Sequence, residues 1–142
     1  VISVFIKEKA FEIRLINRNY ENAKTLKKQL SDNINIFDWK DHTNAISGAT
    51  TVVNTTSLGN LGCNPFPYDL QGVNRNAIAI DLVYNPIETS FMKKAKKENI
   101  KSINGLDMLI YQAKQGFSRW FNKKPVYSKE LKDLLVSSLT RI

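Results

Sequence analysis

Apolar positions along the chain fall into short β-branched runs separated by stretches with helical spacing. The first run, Phe11 to Ile16, ends in the polar Asn17-Arg18-Asn19. From Tyr20 to about Leu30, the apolar Ala23, Leu26 and Leu30 recur at i, i+3, i+7, which predicts an amphipathic helix. Ile34, Ile36 and Phe37 mark a second short strand. Thr50 to Thr56 is a third, β-branched throughout, as expected of a strand covered on both faces. The prolines within Cys63 to Tyr68 forbid a ladder there. Ala77 to Tyr84 is the clearest buried strand, followed by a helical stretch from Glu88 to Asn99. Lys101 to Ile103 reads as a short last strand, before a long helix from Leu106 to Phe121 and a closing one from Ser128 to Leu139.

Strands separated by helices of this length predict parallel β-α-β units and an α/β fold. Crossovers in such a sheet are right-handed, and ligands collect at the carboxyl ends of the strands. Candidate chemistry is therefore expected after Ile16, after Val53 and after Val83. The 142 residues are one domain's worth, and their 42% apolar and 24% charged composition is that of a globular chain, not a disordered tail. No apolar run approaches the ~20 residues that cross a bilayer, so no membrane role is expected. The apolar Val1 to Ile6 lacks the basic flank and small-residue cleavage site of a signal peptide. Cys63 is the single cysteine, which excludes an intrachain disulfide and suits a reducing cytoplasm. Its one conceivable base is His42, the single histidine, and neither lies in a recognisable nucleophilic context.

A net charge of +8 asks for an anionic partner. The lysines are scattered through helical stretches (Lys24, Lys27, Lys28, then Lys93, Lys94, Lys96, Lys97), a spacing that gives solvated faces. No nucleic-acid-binding signature accompanies them, so a phosphorylated small molecule is the sharper reading and nucleic acid is not expected.

Four places carry candidate chemistry. In dinucleotide-binding folds the end of the second strand reads the adenosine ribose, where an arginine pairs with the 2′-phosphate of NADP. Arg18, in Asn17-Arg18-Asn19, has the planar permanent charge for that role, although taken alone a strand-end arginine in solvent is the commoner case. Val53 to Gly59 ends a strand in consecutive hydroxyls, including Thr56 and Ser57, then glycine; a cofactor path and a plain hydroxyl-stabilised turn are both open. In Asp81 to Pro86 the proline holds Asn85 out of helical geometry, placing Tyr84 at the strand tip, as a ligand-bonding phenol or a core-edge ring. In Asn104 to Gln112, Gly105 would let a ligand approach the backbone, and Met108 and Gln112 project from one helix face at i, i+4. Core packing is the alternative for Met108.

In this order and at these spacings, NR, VNTTSLG, DLVYNP and NGLDMLIYQA resemble the shikimate dehydrogenase family over about Val1 to Pro125. The resemblance implies a Rossmann-like, doubly wound NADP-binding domain occupying 1–142. It implies cofactor contacts from Asn17, Arg18, Asn19, Thr56, Ser57, Leu82, Gly105 and Met108, with Leu82 and Gly105 at the nicotinamide. Tyr84 and Gln112 match residues that hold shikimate. The family often has a second arginine at the position of Asn22, so a weaker hold on the 2′-phosphate is implied. The reaction implied is reversible hydride transfer between NADPH and 3-dehydroshikimate, a step of aromatic amino acid biosynthesis.

The family's glycine-rich loop and first strand would precede Val1, and its proton-transferring lysine and aspartate lie in an N-terminal substrate domain. On that resemblance Val1 to Lys9 is the body of the first helix, although VISVFIKEK is β-branched enough for a strand. No residue of this chain is assigned a catalytic role, and the chain alone is expected to be inactive. Without its central strand a free-standing sheet would be poorly stable, swap strands between copies, or rearrange; alternatively, these residues are one piece of a longer polypeptide. A quinate-using relative and a non-catalytic nucleotide-binding module are the other readings.

Overall fold

The computed structural model describes residues 1–139. It holds two compact units: the first comprises Val1–Ala49 with Leu70–Asn74, and the second Thr50–Asp69 with the chain from Arg75 onward. No helix among the described residues is long and apolar enough to cross a membrane.

The first unit begins with α1 (Ile2–Lys7), so the helical reading of the N-terminal stretch holds despite its β-branched sequence. Strand β1 (Ile13–Ile16) then pairs in parallel with β2 (Ile34–Phe37), from Ile13↔Ile34 to Ile16↔Phe37. Between them runs α2 (Tyr20–Leu30), which buries Ala23 completely. Ile13, Ile34, Ala45 and Ile46 supply the rest of this unit's small core, with Leu70 and Val73. A 3-10 turn (Trp39–Asp41) leads into α3 (His42–Ile46), an element too short for its apolar spacing to mark in sequence. Arg14 fixes the end of α3 by donating through Nη1 to the carbonyls of Ala45 (3.2 Å) and Ser47 (2.7 Å).

The second unit is a three-stranded parallel sheet, β3 (Thr51–Asn54), β4 (Ile78–Asp81) and β5 (Lys101–Ile103), in that order. Helices α4 (Ser90–Lys97), α5 (Leu106–Phe121) and α6 (Lys129–Leu139) follow. Ala79, Phe91, Ala95, Leu106 and Ile110 are buried here, and the Phe66 ring meets Phe91 edge-on at 4.9 Å between centroids. Taken separately, the two sheets have the strand orders of the 3-2 and 4-5-6 arms of a doubly wound α/β fold.

Strands β1, β3 and β4 are shorter than the apolar runs that predict them, whereas β2 and β5 match theirs. Phe11 is 98% exposed and lies outside β1. The run Ala77 to Tyr84 yields a strand that stops at Asp81, so Tyr84 is not at a strand tip but three residues beyond it. The cause is local: the Leu82 amide makes the last bond to β3, at Asn54 O (3.0 Å). The next amide, Val83 N–H, turns to the Asp81 side chain instead (3.1 Å).

Candidate functional site

In the first unit, the end of β1 is organised by short polar side chains. Asn17 Oδ1 accepts from the Asn19 amide (2.9 Å), and Asn19 Oδ1 caps α2 by accepting from the Asn22 amide (3.1 Å). Both asparagine oxygens are thus engaged in holding the turn. Arg18 between them is exposed, with no side-chain partner among the described residues. It stands at the start of an 11-residue helix, where the first amides have no intrahelical acceptor and the dipole favours negative charge. An unpartnered guanidinium at a helix N-terminus has the chemistry to hold a phosphate.

In the second unit the parallel register brings three chain segments to one edge of the sheet. Asn54, last in β3, lies directly opposite Asp81, last in β4, and Ile103 ends β5 beside Ile80. Asn54 and Asp81 are both buried, and Asn54 Nδ2 donates to Asp81 Oδ1 (2.9 Å) and to Leu58 O (3.2 Å). Asn54 Oδ1 accepts from the Thr56 amide (3.1 Å) and hydroxyl (2.7 Å). Asp81 also accepts from the Val83 amide and, through Oδ2, from the buried Thr89 hydroxyl (2.5 Å). Thr89 in turn caps α4 at Met92 N (3.2 Å). Every group facing the Asp81 carboxyl is a donor, which suits an ionised acceptor. Burial nonetheless pushes its pKa above the ordinary aspartate value, against the opposing pull of the bonds from Thr89, Val83 and Asn54.

This network divides the hydroxyl pair. Thr56 is consumed by the turn, since its Oγ1 also accepts from the Leu58 amide (3.1 Å), whereas Ser57 is exposed with no side-chain partner among the described residues. Gly105 is buried, and a Cβ there would stand 2.1 Å from Leu82 O. The Leu82 carbonyl by itself therefore requires glycine at this position. The Gly105 amide donates to Val83 O (3.1 Å), locking the start of α5 to the segment that follows β4. Asn104 reinforces this junction, accepting from the Leu106 amide and donating to Ile87 O (both 3.2 Å). Tyr84 is 36% exposed, so it is not a ring sealed in a core. Met108 is half-buried and Gln112 exposed.

Thr56 and Ser57 follow the end of β3, Leu82 and Tyr84 that of β4, and Gly105 that of β5, with Met108 in the first turn of α5 and Gln112 one turn further along the helix. Asn17, Arg18 and Asn19 belong to the other unit. Sequence reasoning missed Asn54, Asp81 and Thr89, which position the two loops. For Asn54 and Asp81 the signal was a polar residue closing a strand, a place where burial demands a partner, and for Thr89 it was a threonine just ahead of a helix.

The shikimate dehydrogenase (NADP(+)) of Cereibacter sphaeroides (strain ATCC 17025 / ATH 2.4.3) is 36% identical over 138 residues, 97% of this chain and 50% of the relative. Along nearly its whole length the chain is homologous to shikimate dehydrogenases. It spans about half the length of the curated relatives it matches. No family model matches it. Among solved structures, the shikimate 5-dehydrogenase of Thermus thermophilus in complex with NADP(H) and shikimate matches at TM-score 0.70 and 25% identity, over 88% of this chain and 46% of that one. The quinate dehydrogenase of Corynebacterium glutamicum in complex with NAD matches at TM-score 0.77 over 87% of this chain and 46% of that one; at 21% identity it supports the fold alone. The α/β fold expected from the strand and helix pattern, and the Rossmann-like form of it that the resemblance implies, are thereby shown.

Proposed function

We propose that this chain is the nucleotide-binding part of an NADP-dependent shikimate dehydrogenase, working on shikimate and 3-dehydroshikimate. The observation that carries this reading is that VNTTSLG, DLVYNP and the start of NGLDMLIYQ follow the carboxyl ends of three neighbouring parallel strands, where α/β folds receive their ligands. In the first unit, Arg18 pairs with the 2′-phosphate of the adenosine, while Asn17 and Asn19 fix the turn that presents it. In the second, Ser57 offers its free hydroxyl to the dinucleotide and Thr56 holds that loop in shape. Leu82 and Gly105 form a backbone wall for the nicotinamide, with Met108 packing beside it. Tyr84 and Gln112 bond the polar groups of the substrate through their exposed ends.

When bound, the cofactor supplies the hydride; the residues of this chain orient it and hold the substrate ring against it. None of them is assigned the proton transfer, so the 142 residues alone are expected to bind without turnover. Thermal unfolding with and without millimolar NADP, and with NAD as control, tests the reading. A ligand held only by the native state stabilises by RT ln(1 + [L]/Kd), about 2.7 kcal/mol at a hundredfold excess over Kd. A rise in Tm with NADP exceeding that with NAD supports it, and no rise with either contradicts it.

A further inference from the structure

Away from the sheet edge, the second unit carries a cleft of about 420 Å³ lined by Tyr111, Lys114, Gln115, Ser118 and Arg119 of α5 with Lys124 and Pro125 of the connector to α6. Asn122, in the left-handed conformation (φ 50°), ends the helix and turns the chain. Lys114 and Ser118, Gln115 and Ser118, and Gln115 and Arg119 are three or four residues apart along α5, so these side chains neighbour one another on the helix surface.

Its charge is unusual. Lys114, Arg119 and Lys124 bring three positive charges to one concavity, and among the described residues none has a carboxylate partner. The nearby acid on α5 is already engaged: Asp107 accepts both from Lys132 Nζ (2.9 Å to each oxygen) and from the Tyr127 hydroxyl. The Lys114 ammonium lies 5.5 Å from the centre of the Tyr111 ring, and the quadrupole of that ring does not neutralise it. The carboxyl end of α5 offers only about half a negative charge to the arginine in its last turn. Most of the local positive charge is therefore uncompensated, and the like charges repel until an anion enters. Arg119 has the planar fork suited to phosphate oxygens, and the lysines are flexible point charges beside it.

We propose that this cleft is a second anion site, separate from the Arg18 turn, that takes a small oligophosphate such as a diphosphate group. Binding of sodium pyrophosphate to the chain, followed by calorimetry at about 0.15 M salt, tests it. Saturable one-site binding that weakens at least tenfold in Lys114→Gln/Lys124→Gln, with unfolding midpoint retained, is the expected result. Arg119→Lys, which keeps the charge but loses the fork, should weaken it less. The control Lys93→Gln/Lys97→Gln should leave it unchanged. Equal loss in the control pair would reduce the effect to general surface charge, and loss in Arg18→Ala would return the anion to the β1 turn; either overturns the proposal. So would binding of a single-stranded oligonucleotide without binding of pyrophosphate.

Discussion

The two strand ends that carry the family's motifs are built on opposite physical terms. At the edge of β3 and β4 the polar groups are buried and satisfied by one another: Asn54, Asp81 and Thr89 form a closed set that also holds the amides of Thr56, Val83 and Met92. At the end of β1 Asn17 is half-buried and Arg18 and Asn19 are exposed; the two asparagines shape the turn, and the arginine between them has no partner among the described residues. The first arrangement fixes backbone against which a ligand can be set. The second leaves a charge in water, available for a phosphate. Stability and recognition should accordingly respond to mutation at different places.

The largest effect is expected at Asp81. Asp81→Ala strips the acceptor from three buried donors and should cost about 3 kcal/mol in denaturant unfolding, with faster amide exchange at Val83. A loss under about 0.5 kcal/mol would mean that the network does not hold the edge. Gly105→Ala comes next, at about 2 kcal/mol, because its Cβ would drive into the Leu82 carbonyl. An unchanged midpoint would show that α5 can shift freely at its start. By contrast, Arg18→Ala should alter stability by less than about 0.5 kcal/mol, since nothing in the fold depends on it. A larger loss would erase the distinction between the two sites.

Acidity separates buried from exposed carboxylates in the same way. The Asp81 pKa is raised by burial, so its unfolded form ionises first as pH climbs. Its contribution is greatest below the ordinary aspartate pKa and declines as pH rises toward the folded value. Asp107 is the opposite case. The bond from Tyr127, then that from Lys132, lowers its pKa, so its contribution is present above the ordinary carboxylate range and fades as pH falls through the folded value. Because Asp107 is about a third exposed, Asp107→Asn should remove only a few tenths of a kcal/mol, visible as a flatter acid limb of the stability curve. A steeper limb in that variant would contradict the assigned sign.

Long periodic elements could be read from the residues alone. Helix α2 and helix α5 begin and end where their apolar spacing and flanking residues place them, and the short strand Lys101–Ile103 follows from its position between two helices. Helix α3 could not be read, because five residues do not complete two turns. Strand ends were overrun for a different reason. Propensity continues through Leu82 and Val83, but the buried Asp81 side chain takes the amide that a longer ladder would need. The candidate site was visible as motifs, and its supporting network was not, since pairing Asn54 with Asp81 depends on a register set across 27 residues. Gly105 shows the same limit: the sequence marks a close approach, and only the fold reveals that Leu82 makes it.

Calorimetric titration of NADP and NAD into the wild-type chain and into Arg18→Ala tests the central claim most directly. Loss of a charge-assisted phosphate contact is worth about 1.5 to 3 kcal/mol. The account predicts that Arg18→Ala weakens NADP at least tenfold and leaves NAD nearly unchanged. Equal weakening of both nucleotides, or of neither, would contradict it.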